Sequence, residues 1–152
     1  MNKVQIINNH YVIPVNDHLR YPLFAGDVLV SIKPQFASLI LDGSKTYELR
    51  KRMPSFKPGT RLLIYESSPV QRITGMVTYV GCLCSAPWRI WNRLYSHLGI
   101  EFKSFMKYYE DSRYAYAWEL IDPISFQSPI TLQDIGITRP PQSYQFIPTP
   151  NK

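Results

Sequence analysis

Short stretches of alternating hydrophobic and polar residues cover much of this 152-residue chain, and two stretches switch to the three-to-four-residue spacing of helices. Gly26-Asp27 opens the apolar run Val28–Ile32, which predicts a buried strand. Pro34 fits the first turn of a helix, and Phe36, Leu39 and Ile40 give that helix one buried stripe. Gly43 stands where a helix ends in a residue of positive φ. The next strand is predicted to turn Tyr47 and Leu49 to a core and Thr46, Glu48, Arg50 and Arg52 to the other side, with Lys45 at its mouth.

Beyond a loop at Pro54 and Pro58-Gly59, strands are predicted at 61–65 and 73–80, with Gly75 marking a bulge or a close approach. Ser85 reads as a helix cap with Pro87 just inside, and Trp88, Trp91, Tyr95 and Leu98 as that helix's face, ended by Gly99. Phe102, Phe105, Met106 and Tyr109 repeat the pattern in a second short helix. Residues 113–121 set Tyr114, Tyr116, Trp118 and Leu120 against Ala115, Ala117 and Glu119, a strand with one bulky face. Another short strand and a helical turn at 132–135 follow, and the proline-rich segment from Arg139 reads as extended chain on the surface. Ahead of all this, Val4, Ile6, Val12, Ile13 and Val15 supply a strand or two about a turn at Asn8-Asn9, and Pro14 and Pro22 argue against a helix. The sum is an α+β protein built on a mixed, partly closed barrel of five to six strands with two to three short helices.

Composition narrows the function classes. A chain 45% hydrophobic and 14% aromatic fits one compact domain with a proper core. No run has the apolar length of a membrane span, and the start lacks the charged-then-apolar design of a signal peptide, so a cytoplasmic protein with no membrane partner is expected. Cys82 and Cys84, one residue apart and without zinc-type partners, read as free thiols; neither a metal site nor a cofactor is expected. The net charge of +6 favours a polyanion, and Lys45, Arg50, Lys51, Arg52 and Lys57 concentrate it locally.

That cluster begins within Gly43-Ser44-Lys45-Thr46-Tyr47-Glu48-Leu49-Arg50. Its Gly-x-Lys-x-x-Glu-x-Arg pattern resembles the signature of the ASCH domain, one of the PUA-like β-barrels associated with RNA and modified-base recognition. Ser31-Ile32-Lys33-Pro34 before it, Arg50-Lys51-Arg52 after it, Ile64-Tyr65-Glu66-Ser67-Ser68-Pro69 and Pro140-Pro141-Gln142-Ser143-Tyr144 extend the similarity to longer bacterial and phage members. The resemblance implies a PUA-like domain over residues 28–147, an N-terminal extension at 1–27 packed on or flanking it, and a tail at 148–152.

Three groups of residues compete for function. In the first, Lys45, Arg50, Lys33, Lys51 and Arg52 suit phosphate or base edges, with Glu48 orienting Arg50 or accepting from an exocyclic amino group. In the second, Tyr65, Ser67 and Ser68 line the same cleft, the alternative being a plain polar turn. In the third, Tyr114, Tyr116, Trp118, Trp88 and Trp91 offer stacking surface, although aromatics at regular spacing more often form core; Tyr47 and Tyr144 are better placed for exposure.

The favoured reading is a regulatory binding module for RNA, another nucleic acid, or a modified nucleoside. The alternatives are a hydrolase (an acylated-cytidine amidohydrolase or a ribonuclease) and a protein–protein adaptor. For a hydrolase the candidates are Lys45, Thr46 and Glu48. In ASCH proteins that resemble the amidohydrolases, a threonine nucleophile aligns with Glu48 beside the lysine matching Lys45. Here the hydroxyl of Thr46 is two residues away, about 7 Å along a strand, and the segment 86–98 contains no Asp or Glu. His10, His18 and His97 form no recognisable pair.

Overall fold

The computed structural model describes residues 5–7 and 10–12 as backbone, and residues 24 and 26–148 with their side chains. Its strands are β1 (Gln5–Ile7), β2 (His10–Val12), β3 (Val28–Ile32), β4 (Tyr47–Arg50), β5 (Arg61–Glu66), β6 (Arg72–Ser85), β7 (Ala115–Ile130) and β8 (Tyr144–Phe146). The helices among these residues are α1 (Pro34–Leu41), α2 (Pro87–Leu94) and α3 (Phe102–Tyr108), with single 3-10 turns at Tyr95–His97 and Gln133–Ile135. The strands form one curled sheet in the order β1-β2-β7-β6-β5-β3-β8, with β4 on β7. β3 runs parallel to β5 and the β6–β7 ladder is antiparallel, so the sheet is mixed as expected.

The long ladder between β6 and β7 shapes the sheet. It carries register shifts at Ile73/Gly75, Met76/Thr78 and Tyr79/Gly81, each of which adds local twist and bends the pair toward closure. Two separate strands were expected, one at 113–121 and a short one after Pro123, yet β7 runs unbroken from Ala115 to Ile130. Asp122 takes φ 54° and the ladder shifts register beside it, which accommodates a proline that has no N–H to donate. The far edge of β7 is then shared. Its first part holds β4, with Glu48 opposite Trp118 and Arg50 opposite Tyr116; farther on His10 and Tyr11 of β2 pair with Ser125 and Phe126. The strand or two expected in residues 1–27 are thus β1 and β2; Asn8-Asn9, Val15, His18 and the tail from 149 lie outside the described residues.

Apolar residues on both faces of β3 and β5 are covered. Leu29, Leu63, Ile73, Met76 and Ile130 form one end of the core, while Val28, Val30, Leu62, Ile64, Val77 and Trp118 pack against Ala37 and Ile40 of α1. A third cluster joins Leu49 of β4 and Ala115 and Ala117 of β7 to Ile90, Leu94, Leu98, Phe105 and Tyr109. The small alanines of β7 let the α2–α3 pair lie close to the strand, while the bulky alternate residues Trp118 and Leu120 fill the barrel.

Two helix assignments need correction. Ser85 is the last residue of β6 rather than a cap; α2 starts at Pro87 after Ala86, with no side-chain cap. The buried stripe of α2 is aliphatic, Ile90 and Leu94, continued by Leu98, while Trp88 and Tyr95 face solvent. In α3 the same happens: Phe105 and Tyr109 are buried and Phe102 and Met106 are not. Both stripes have helical spacing, and compact aliphatic packing against Ala115 and Ala117 decides between them.

At Gly75 a Cβ would collide with the Ile124 carbonyl oxygen and a Leu41 methyl, whereas at Gly81 it would meet open space. Gly75→Ala should therefore cost about 1–3 kcal/mol of overpacking, read as a lower urea midpoint, while Gly81→Ala leaves the midpoint nearly unchanged. Equal midpoints for the two variants would show that Leu41 and β7 yield freely.

Candidate functional site

The site is assembled where α1 hands the chain to β4. Gly43 (φ +87°) ends the helix, the Ser44 amide donates to Asp42 Oδ1 at 2.8 Å, and the Lys45 amide donates to the Leu39 carbonyl at 2.9 Å. The Thr46 amide donates to the His97 carbonyl. These bonds hold residues 44–46 between the end of α1 and the turn after α2, before regular strand alternation begins at Tyr47.

Lys45 is therefore buried rather than standing open at the strand's mouth: it is only 3% exposed. Its Nζ donates to the Leu98 carbonyl at 2.6 Å and lies 5.3 Å from the centre of the Phe36 ring. Gly99, at φ +62°, makes room for it, since a Cβ there would come within 3.1 Å of Lys45 Cβ. Burial lowers the Lys45 pKa; nearby Glu48 works against that shift and Arg50 adds to it.

Within β4 the expected alternation holds. Leu49 is buried in the α2–α3 core with Tyr47 packed beside it, and Glu48 and Arg50 project together on the other face. The Glu48 carboxylate accepts from the Leu49 amide at 3.0 Å and lies 3.5 Å from Arg50 Nη2. Arg50 also donates to Ser143 Oγ and to the Ser31 carbonyl, each at 3.0 Å, and its guanidinium lies 5.4 Å from the Trp118 ring centre. Three N–H groups are engaged in this way, and the other two have no partner among the described residues.

Two adjoining clefts meet at Arg50 and Tyr108. One, of about 400 Å³, is lined by Lys33, Phe36, Glu48, Arg50, Ser104 and Tyr108 among others; a small recess that shares Phe36, Glu48 and Tyr108 with it is lined by Lys45. The other, of about 390 Å³, is lined by Arg50, Lys51, Arg52, Met53, Trp118 and Tyr144 among others. Lys51 Nζ sits 4.7 Å from the Tyr108 ring centre. Burial raises the Tyr108 pKa, opposed by Arg50 and aided by Glu48, so its hydroxyl stays protonated at neutral pH.

Six sequence candidates thus converge on these clefts: Lys33, Lys45, Glu48, Arg50, Lys51 and Arg52. Four do not line them. Thr46 is half-buried with its backbone pinned between His97 and Leu120. Tyr65 is a core residue packed with Leu63 and Ile73. Ser67 and Ser68 form the turn leaving β5, where the Ser67 amide donates to the Ile32 carbonyl. Of the aromatics, Trp118 is core and forms the floor under Arg50; Tyr114 and Trp88 are exposed, Tyr116 and Trp91 half-buried, and none of these four lines either cleft. Sequence reasoning assigned no site role to Ser143, Tyr108, Ser104 or Phe36. Ser143 lies within the resembling segment 140–144, but its distance of 93 residues from Arg50 hides the contact. Nothing local marks Tyr108, which reads as one more aromatic on a short helix.

The ASCH domain model matches residues 30–130. This chain belongs to the ASCH domain family. An ASCH domain-containing ribonuclease of Zymomonas mobilis is 27% identical over 125 residues, covering 80% of this chain and 84% of the relative. The crystal structure of ASCH from Zymomonas mobilis superposes with a TM-score of 0.74 at 26% identity, covering 80% of this chain and 87% of that one. The large ribosomal subunit protein uL22 of Ureaplasma parvum is 21% identical over 120 residues, 79% of this chain and 39% of its own. The PUA-like ASCH architecture expected from the signature is therefore the architecture present.

Because burial lowers the Lys45 pKa, the unfolded chain binds this proton more tightly than the fold does, and stability rises with pH over the interval from the folded value up to the ordinary lysine value near 10.4. Measured by urea denaturation at a series of pH values, wild type should gain stability relative to Lys45→Met as the pH is raised through that interval. A flat difference would mean that folding leaves the lysine's proton affinity unchanged, and a falling one that the fold prefers the ammonium form.

Proposed function

We propose that this ASCH protein binds RNA through the paired clefts, with Arg50 as the central contact to a phosphate or base edge. The observation that carries the reading is the fixed guanidinium: Ser143, Ser31 and Glu48 hold it over Trp118 at the junction of the clefts, with two N–H groups that have no partner among the described residues. An arginine ordered before binding loses little side-chain freedom when it pairs with a ligand. Lys33, Lys51 and Arg52 supply phosphate contacts around it, and Glu48 retains acceptor capacity for an exocyclic amino group, which suits a particular or modified base. Cleft volumes of about 400 and 390 Å³ suit single nucleotides of an unpaired strand rather than a duplex. The ribonuclease name of the Zymomonas relative supports an RNA ligand.

A second reading, hydrolysis of that RNA, is favoured by one further observation. Lys45, whose pKa burial lowers, and Glu48 line the same recess, and a lysine with a lowered pKa can act as a base while a carboxylate holds or relays a proton.

Both readings are tested by fluorescence anisotropy of labelled single-stranded RNA at two salt concentrations, followed by a denaturing gel. Wild type should bind, more weakly at high salt, and Arg50→Ala should lose about tenfold or more in affinity. Wild-type binding that ignores both salt and Arg50→Ala would sink the cleft reading. Cleaved RNA on the gel that stays intact with Lys45→Met would establish the hydrolytic one.

A further inference from the structure

The outward sides of α2 and α3 carry exposed apolar and aromatic residues among their cations. Tyr95 and Phe102 are 59% and 56% exposed, and Met106 and Trp88 are exposed as well. The rings form a connected group rather than scattered singles: the Trp91 centroid lies 6.2 Å from that of Tyr95 and 5.2 Å from that of Phe102. Exposed apolar groups this contiguous mark an interaction surface.

Charge identifies the occupant. Neither α2 nor α3 contains an acidic residue, while Arg89, Arg93, Lys103 and Lys107 give the two helices four cations. Position identifies it further. Helical spacing sets Ser104 and Tyr108 on the flank of α3 that lines the Arg50 cleft and Phe102 and Met106 on the opposite flank beside Trp91, with Lys103 and Lys107 on the crest between. A chain leaving the cleft past Tyr108 crosses two lysines and arrives on an aromatic shelf. Cations that track a backbone, followed by rings open to stacking, suit single-stranded nucleic acid.

We infer that Tyr95, Trp91 and Phe102, with Lys103 and Lys107, form a second contact surface for single-stranded RNA, which takes the nucleotides flanking those held at Arg50. The inference rests on RNA being the ligand of the cleft, and it adds the length of strand that the protein reads. The shelf stacks bases without reading their edges, so it contributes affinity and length dependence, and base preference stays with the cleft.

The test compares labelled RNAs of about 4 and about 12 nucleotides on wild type, Tyr95→Ala/Phe102→Ala and Lys103→Glu/Lys107→Glu. Both aromatic truncations remove exposed rings, and unchanged binding of the short RNA reports an intact cleft. Wild type should bind the long RNA more tightly than the short one. The aromatic variant should lose about fivefold or more on the long RNA alone, and the lysine variant should lower the salt slope for the long RNA by about one or more. A wild type that binds both lengths equally, or an aromatic variant that keeps the length advantage, would overturn the shelf while leaving the cleft reading intact. Loss of short-RNA binding in the aromatic variant would also overturn it, by showing that these rings act through the cleft. Failure of either RNA to bind wild type would sink the cleft reading and the shelf together. Self-association of wild type in sedimentation that the aromatic variant abolishes, without any length effect, would assign the face to a second copy of the chain instead.

Discussion

The ladder between β6 and β7 is the constraint on which the remaining structure depends. Its strands, 14 and 16 residues long, are too long to stay flat, and three register shifts bend them so that one sheet wraps a core. The same strands supply the seats for the candidate site. β4 lies on the outer edge of β7, so Glu48 and Arg50 are set opposite Trp118 and Tyr116, and Trp118 becomes both core residue and floor of the site. On the other side of β7, the alanines at 115 and 117 leave the space that α2 and α3 occupy.

The two principal cations of the site are held by opposite means. Arg50 keeps its charge in a partly open position by sharing it among a carbonyl, a hydroxyl and a carboxylate. Lys45 is withdrawn from water, where a full positive charge is costly, and is left with one carbonyl acceptor, one ring face and the field of Glu48. Arginine tolerates that sharing because its guanidinium offers several donors in fixed directions; lysine responds to burial by easier loss of its proton. The candidate site thus pairs an arginine shared among several acceptors with a lysine whose pKa burial lowers.

The α2–α3 unit has two uses. Its aliphatic stripe closes the third core cluster, and its turn at Leu98–Gly99 supplies both the acceptor for Lys45 and the gap that the lysine chain needs. A change in that turn acts on the cleft without touching it. Because α3 also lends Ser104 and Tyr108 to the cleft wall, the helices are part of the site rather than an ornament on the barrel.

Much was legible in the chain itself. The alternation of Tyr47 and Leu49 against Glu48 and Arg50 and the helix between Pro34 and Gly43 follow from local periodicity and backbone chemistry, and the Gly-x-Lys-x-x-Glu-x-Arg pattern pointed to the family. Local rules could not foresee that Lys45 would be buried, because its partners, Leu98 and Gly99, lie more than fifty residues away and arrive with α2. Nor could they tell which of two helical stripes turns inward, since Trp88 and Tyr95 repeat as regularly as Ile90 and Leu94, and only the close approach to Ala115 and Ala117 selects the aliphatic one. Ser143 reaches Arg50 because β8 pairs with β3, a contact between chain ends. The sequence by itself determined which short segments are strands or helices and which carry charge, because those properties depend on neighbours along the chain. Which cation is hidden, which is presented, and what holds each were decided only by the tertiary structure, because burial and hydrogen-bond partners are set by segments that meet through folding alone.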